Sequence, residues 1–561
     1  MRSSDHFAAA ELARLCAAKG VRHAVISPGS RNAPLVIAFS QQPQVQCLQV
    51  IDERSAAFFA LGIAQQLQQP VVLICTSGSA VLNYAPAIAE AYYQRIPLLV
   101  LSADRPEEWT DQGEGQTIRQ REVLGPHLRK GVQLPRTADP LSRWHCGRLI
   151  NEAIDATLLP VPGPVQVNVP FEEPLYGTAD ATQDVRLIAP VPVESFLLPD
   201  RGWRVLQLSS TLKVMVLVGQ GLWSEGLKAQ LRKLAALPQC TVLTEATSNL
   251  DDPAFITCID RTLEGLGPAN EADLKPDLLI TFGGAIVSKR IKGMLRQWRP
   301  EQHWHVDTDR QYCDTFQCLT HHLAVDPHIF LAQLEDQVRA NESFFGEAWR
   351  MVAQRIQERH EALLRDTPFC DLTVFHALLH RIPEGSDVHL ANSTAARYVQ
   401  LFDRTRGLRF FGNRGTSGID GCTSTAVGAA LASGKTTTLI TGDVAFCYDS
   451  NAFWNKHLSP HLKVVVVDNG GGNIFRYIPG PGNDPALLPW FESPHGRDIP
   501  ALVKSYGLPC YKAWDEASLL AGLEWLHGPH DGPAVLHITT DAQVSPRVLR
   551  TYFSALGQGH Q

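Results

Sequence analysis

TTLITGDVAFCYDSNAFWNKHLSPHLKVVVVDNGGG, residues 437–472, is the stretch on which the reading of this chain turns. Thr437–Thr441 is a short β-rich run ending in Gly442-Asp443. Lys463–Val467 is a second, ending in Asp468-Asn469-Gly470-Gly471-Gly472, and a helical pattern is expected over Asp449–Leu458 between them. Strand, helix and strand at this spacing form a βαβ unit, whose right-handed crossover lays two parallel strands side by side. Asp443 and Asn469 then leave the sheet at the carboxyl ends of neighbouring strands, where open α/β sheets bind ligands. A carboxylate, an amide oxygen and a carbonyl in a glycine loop are hard oxygen donors. They suit a cation such as Mg2+, which takes its other oxygens from phosphates and water. The glycines also let backbone N–H groups approach those phosphates. A Gly-Asp turn or a glycine run alone is commonplace; their joint placement is what points to a site.

Working outward, the same rhythm recurs. Helix and strand patterns alternate over Asp52–Gln68, Val71–Cys75, Ala80–Tyr93 and Pro97–Ser102, closing with Val165–Val169. A second set comprises Val214–Val218, Leu278–Phe282 and His303–Val306, and helix Glu347–Arg365 leads into a third with Val388–Ala391 and Ala534–Ile538. The expected fold is α/β, with three consecutive doubly wound parallel-sheet domains over 1–180, 181–345 and 346–561, and a linker near 180–205. Gly219-Gln220-Gly221 lacks the rest of a dinucleotide fingerprint and reads as structural, so neither flavin nor nicotinamide is expected.

A net charge of -7 argues against a nucleic-acid or anionic-membrane binder. No uncharged apolar run is long enough to span a bilayer. The amino terminus lacks a targeting pattern, and 12 scattered cysteines without a CxxC pair suit a reducing compartment, so a cytoplasmic location is expected. Against this acidic background, cations recur in loops that follow strands. They are Arg31 in Ser27–Arg31, Arg105 in Ala103–Pro106, Arg119 in Gln116–Gln120, Lys289 and Arg290, Arg397 in Asn392–Arg397 and Arg414 in Asn413–Asp420. Guanidinium groups grip carboxylates through paired hydrogen bonds, so a cleft lined this way suits substrates with several carboxylates.

The Gly442-Asp443 and Asn469 loop pair resembles the cofactor motif of thiamine-diphosphate enzymes. That resemblance implies a metal, Mg2+ or Mn2+, held by Asp443, Asn469 and the Gly471 carbonyl, with Gly442 against the cofactor. Ile51-Asp52-Glu53-Arg54 before a buried helix, then Cys75-Thr76-Ser77-Gly78, is similar to the pyrimidine-binding domains of the same enzymes. By that likeness Glu53 is the catalytic glutamate bonded to the cofactor's aminopyrimidine ring. It further implies a homo-oligomer, a dimer or a dimer of dimers, whose active sites lie between subunits. Two positions depart from the motif: Val444 stands where the family often has glycine, and Asp468 where it has asparagine.

The loops around the cations are similar to one branch of this family, the synthases that join a succinyl unit from 2-oxoglutarate to isochorismate in menaquinone biosynthesis. The branch implies that Ser393, Arg397 and Arg414 bind the 2-oxoglutarate-derived part, Ser393 also touching the cofactor. It implies that Ser30, Arg31, Arg105, Gln116, Lys289 and Arg290 position isochorismate. Ile419 would bend the cofactor, and Ile474 and Phe475 would line the apolar wall. Gly115 occupies a place where some members have asparagine. The alternative within the family is another 2-oxoacid decarboxylase or an acetohydroxyacid synthase. No histidine lies in a motif with an evident acid–base role.

Overall fold

The computed structural model describes residues 2–180, 185–190, 199–206, 212–266, 271–309, 311–338, 342–403, 407–478 and 480–558. Much of the linker expected near 180–205 lies outside them. Three parallel sheets carry the chain. The first contains β1 (His23–Ile26), β2 (Gln46–Gln49), β3 (Val71–Cys75), β4 (Leu98–Asp104), β5 (Lys130–Gln133) and β6 (Val165–Pro170), in the order β2-β1-β3-β4-β6-β5. The second contains β7 (Val214–Val218), β8 (Cys240–Thr244), β9 (Leu278–Phe282), β10 (Gln302–Val306) and β11 (His321–Leu323), in the order β8-β7-β9-β10-β11. The third contains β12 (Asp387–Leu390), β13 (Arg409–Gly412), β14 (Thr437–Gly442), β15 (Leu462–Asp468), β16 (Cys510–Ala513) and β17 (Ala534–Thr539), in the order β13-β12-β14-β15-β17-β16. The first and third sheets therefore share one topology, although no sequence repeat announces it. Central strands such as Val71–Cys75 and the Val464–Val467 run of β15 are apolar because helices cover both faces, as parallel sheets require.

Two helices tie the like-built halves together. Helix α1 (Glu53–Leu67) starts at Asp52, whose side chain accepts from Ser55 N at 3.1 Å, and stops at Gln68 in the left-handed region. It is buried over Ser55–Gln65, and it lies against a second helix, Cys422–Ser433, buried over Cys422–Ala430. The two approach backbone to backbone. A Cβ on Gly62 would come within 2.0 Å of Thr425 O, and one on Gly428 within 2.0 Å of Phe59 O. Phe59 and Val427 share one apolar core with Leu73 of the first sheet and Val464 of the third. Val388, Ile440 and Val465 on the third sheet share another with Met215, Leu217 and Leu279 of the second. Gly428→Val is expected to lower stability by about 3 kcal/mol or more, because the obstacle is carbonyl backbone that cannot turn aside. Thermal melting checks this, and an unchanged midpoint would contradict the close approach.

Two expected elements differ in detail. Ala80–Tyr93 is two helices, Ser79–Asn83 and α2 (Ala85–Gln94), because Pro86 lacks the N–H that would continue the first. The helix expected at Asp449–Leu458 instead begins at Asp443 and runs to Tyr448, with a 3-10 turn at Ser450–Phe453. The Gly219–Gly221 turn is a close-packed junction: a Cβ on Gly219 would lie 2.0 Å from Gly284 O.

Candidate active site

Asp443 follows the last residue of β14, and Asp468 is the last residue of the adjoining β15. Asp443 is buried and accepts from Val444 N at 2.8 Å. His495 Nε2 lies 3.1 Å from its Oδ2, and His537 Nε2 lies 2.8 Å from Asp468 Oδ2. Burial first, then the charge of Asp468, pushes the Asp443 carboxyl well above the usual carboxylate range, while the N–H groups of Val444 and Gly471 oppose the shift. His537 and Gly470 N–H hold Asp468 below its ordinary value against burial. A buried carboxyl that favours its proton, beside a half-buried carboxylate, is the electrostatic complement of a cation, which would displace that proton. Asp443, Asp468 and His495 can each turn one ligand atom toward a common point.

Asn469, next in the chain after Asp468, is held in one orientation. Its Nδ2 donates to Asp371 Oδ2 at 3.1 Å, and Asp371 also accepts from Thr540 Oγ1 at 2.6 Å and Ser545 Oγ at 3.0 Å. A carboxylate only accepts, so the amide NH2 must face it and the amide oxygen is left for another partner. Gly471 sits at φ +152°, and a Cβ there would meet Glu492 O at 2.6 Å. Its carbonyl accepts from Asn473 N at 2.9 Å, which leaves one lone pair. Gly442 has open space where a Cβ would stand. Ile419 packs on Ala391, Cys422 and Ala445 beside this strand end. The half-buried Ile474 and Phe475 follow the glycine loop, with the Phe475 ring 5.5 Å from that of Phe491.

Glu53 opens α1 and is half-buried. Burial raises its pKa, its own backbone N–H opposes this, and the charge of Asp52 adds to the rise. Its charge also bears on Cys75 and Tyr84 within the first domain. The Thr76 and Ser77 hydroxyls after β3 are buried without hydrogen-bond partners among the described residues. No hydrogen bond or ion pair among the described residues joins Glu53 to Asp443, Asn469 or Gly471. Its neighbours do reach the third domain: Arg54 donates to Tyr448 O at 2.9 Å, and Asp52 accepts from Asn451 Nδ2 at 2.8 Å.

The cations fall into two groups. Arg31 is buried, donates to Phe171 O at 3.1 Å and pairs with Glu173 at 3.2 Å. Burial and then neighbouring Arg105 lower its pKa, and Arg105 pairs with Glu114 at 3.3 Å. Ser30 is exposed beside them. Gln116, at φ +54°, lies over the turn after β3, where a Cβ on Gly78 would be 3.2 Å from its Cα. In the second group Ser393 holds φ +76°, a conformation that L residues adopt at a cost and often at ligand sites. Arg397 and Arg414 are half-buried, and burial lowers both pKa values. Arg414 Nη1 donates to Asn392 Oδ1 at 2.6 Å, while Arg397 has no hydrogen-bond or ion-pair partner among the described residues. Lys289 is exposed at the start of helix Lys289–Trp298. Arg290 is already engaged, pairing with Glu264, donating to Tyr477 OH at 3.2 Å and stacking 4.0 Å over Phe553. Arg119 points to solvent, paired with Asp111 at 2.9 Å.

Reasoning from sequence missed Asp371, His495 and His537, which arrive from distant segments. It also missed Glu245, a buried carboxylate that accepts from Val287 N and Ser288 N at 2.6 Å each and so fixes the turn before Lys289. The available signals were an Asp in a first helical turn and isolated histidines, and neither is distinctive.

Three parallel α/β units, a carboxylate pair with one member buried at one domain's strand ends and a helix-opening glutamate in another define a thiamine-diphosphate enzyme. Residues 7–123 match the family described as thiamine pyrophosphate enzyme, N-terminal TPP binding domain. Residues 204–390 match the middle domain of thiamine pyrophosphate enzymes. A protein of Flavobacterium johnsoniae named 2-succinyl-5-enolpyruvyl-6-hydroxy-3-cyclohexene-1-carboxylate synthase is 41% identical over 552 residues, 98% of each chain. Proteins of the same name from Porphyromonas gingivalis and Desulfotalea psychrophila are each 37% identical, over 98% and 96% of this chain and 97% and 99% of their own. The chain belongs to this synthase family. Among the described residues no helix is long and apolar enough to cross a membrane.

Proposed function

We propose that the chain decarboxylates 2-oxoglutarate and adds the succinyl unit to isochorismate, releasing carbon dioxide. The observation that carries the substrate reading is the pair Arg397 and Arg414. They are two half-buried guanidiniums in the segments that follow the neighbouring strands β12 and β13; Arg397, on the short helix Thr394–Tyr398, has no hydrogen-bond or ion-pair partner among the described residues. A cation buried unpaired is costly and invites an anion. The relatives' name supports the reading, since a 2-succinyl group and a cyclohexene carboxylate are what these two substrates would contribute. Division into domains at 180 and 345, a cytoplasmic location and a homo-oligomer with sites between subunits belong to the same reading.

The residues fit the cofactor. Asp443, Asn469 and the Gly471 carbonyl would hold Mg2+ or Mn2+ against its diphosphate, and the Ser77-Gly78 turn and Glu53 would meet its pyrimidine ring. Thiamine diphosphate, when bound, supplies the carbon that accepts the 2-oxoacid and takes up the charge left by decarboxylation. Glu53 holds the proton it shares with the pyrimidine ring nitrogen, which its raised pKa favours. Ser393, Arg397 and Arg414 orient the 2-oxoglutarate carboxylates. Ile419, Ile474 and Phe475 keep water from the carboxylate that departs. Ser30, Arg31, Arg105, Gln116, Lys289 and Arg290 orient isochorismate for the second step.

Purified protein with thiamine diphosphate and Mg2+ should consume isochorismate only when 2-oxoglutarate is present. Pyruvate serving as well as 2-oxoglutarate would leave a thiamine enzyme but remove the substrate reading. Arg397→Ala is expected to raise KM for 2-oxoglutarate roughly tenfold to a hundredfold while leaving KM for isochorismate nearly unchanged, because it removes a charge-assisted contact to one substrate. Equal rises in both constants would contradict the assignment.

A further inference from the structure

Glu90 lies on α2 in the first domain and has no exposed surface. Its carboxylate reaches the loop that carries Arg414 in the third. Oε1 accepts from Gly415 N at 2.7 Å, and Oε2 accepts from Thr416 N at 2.7 Å and from Thr416 Oγ1 at 2.5 Å. Gln94, one turn along the helix, donates to Glu90 Oε1 and, at 3.1 Å, to Gly412 O. Gln220 of the central domain donates to Gln94 Oε1 at 2.9 Å and to the same Gly412 carbonyl at 3.1 Å. The turn is pressed close: a Cβ on Gly415 would stand 2.8 Å from Glu90 O and 3.0 Å from Tyr93 Cβ.

A buried carboxylate is expensive unless its lone pairs are met. Here backbone N–H groups, a hydroxyl and an amide meet them, and none of these donors is a charged side chain. Successive N–H groups converging on an anion form the kind of nest that elsewhere binds phosphate, and here the protein fills it with its own side chain. An apolar residue would cap the loop at lower cost but could not fix two amide directions and a hydroxyl together. What this exactness serves is the residue just before the nest. Arg414 is clamped from one side by Asn392 and sits within the field of both Glu90 and Glu245.

We propose that Glu90 is a positioning residue for the donor substrate: by seating the Gly415–Thr416 turn, it aims the Arg414 guanidinium at the carboxylate of the 2-oxoacid. The proposal rests on the reading of Arg414 as a substrate ligand. It makes the first domain, through α2, a determinant of donor binding in the third.

The test compares Glu90→Gln, Thr416→Ala and Arg414→Ala in the cofactor-loaded enzyme, with KM measured for each substrate and melting measured without cofactor. Glu90→Gln replaces one acceptor by an NH2 that opposes the loop's own N–H. It is expected to raise KM for 2-oxoglutarate roughly tenfold, with KM for isochorismate within about twofold. Thr416→Ala should move the same constant in the same direction by less, and the double variant should fall short of the product of the two effects. Equal rises in both KM values alongside a lowered melting point would show a merely structural carboxylate and overturn the proposal. If Glu90→Gln does not fold, Thr416→Ala decides alone, and an unchanged ratio of the two KM values overturns it. An unchanged 2-oxoglutarate KM in Arg414→Ala would remove the substrate reading beneath it, and the proposal with it.

Discussion

Asp443→Asn should stop turnover and yet make the cofactor-free protein more stable. The wild-type chain buries Asp443 beside the charge of Asp468, and no lysine or arginine pairs with either carboxylate among the described residues; His495, His537 and backbone N–H groups are their partners. An amide of the same shape removes that repulsion, worth about 1–3 kcal/mol for a buried group freed of an unmet demand. The same change takes away the charge that would hold the metal and through it the diphosphate, so activity should fall by about a thousandfold or more. The pH dependence follows from the sign of the shift. A carboxyl raised above its unfolded pKa gives stability that is fully present below the unfolded value and is lost as the pH rises through the folded one. Wild-type apoprotein should therefore melt progressively lower as the pH climbs out of the ordinary carboxylate range and through the elevated pKa. Asp443→Asn should flatten that slope. Parallel falls in activity and apoprotein stability at every pH would mean that Asp443 is a structural residue.

Glu53→Gln is expected to cost about a hundredfold to ten-thousandfold in kcat, the range of a lost general acid–base group, while affinity for thiamine diphosphate changes far less. Glutamine keeps the hydrogen-bonding shape and the place at the head of α1 but cannot give up a proton. Tryptophan fluorescence titration with the cofactor and steady-state rates separate the two effects, and near-normal kcat would remove Glu53 from the mechanism. Asp52→Asn offers a milder check. The Asp52 charge is one of the two influences that raise the Glu53 pKa, so its removal should move the acidic limb of the kcat/KM profile to lower pH.

The strands most legible in the sequence were those buried on both faces. Val71–Cys75, Val214–Val218 and Leu278–Phe282 appear with the expected limits because an uninterrupted apolar run has no other home. Lys130–Gln133 and Cys510–Ala513 escaped notice, since both are edge strands, only partly buried, and carry polar residues. The site divided in the same way. Asp443 and Asn469 announce themselves because one βαβ unit fixes both. The histidines beside the carboxylates, the Asp371 that turns the Asn469 amide and the Glu90 seat under Arg414 depend on contacts between residues 52 to 326 positions apart. No local pattern marks such contacts.

The glycine contact between α1 and the Cys422–Ser433 helix also bears on how such an enzyme can change over time. A contact made of main chain offers mutation nothing to trim or lengthen, so the distance between the two like-folded halves passes to descendants whole or not at all. Variation is left to the segments that follow the strand ends, where side chains rather than main chain make the contacts.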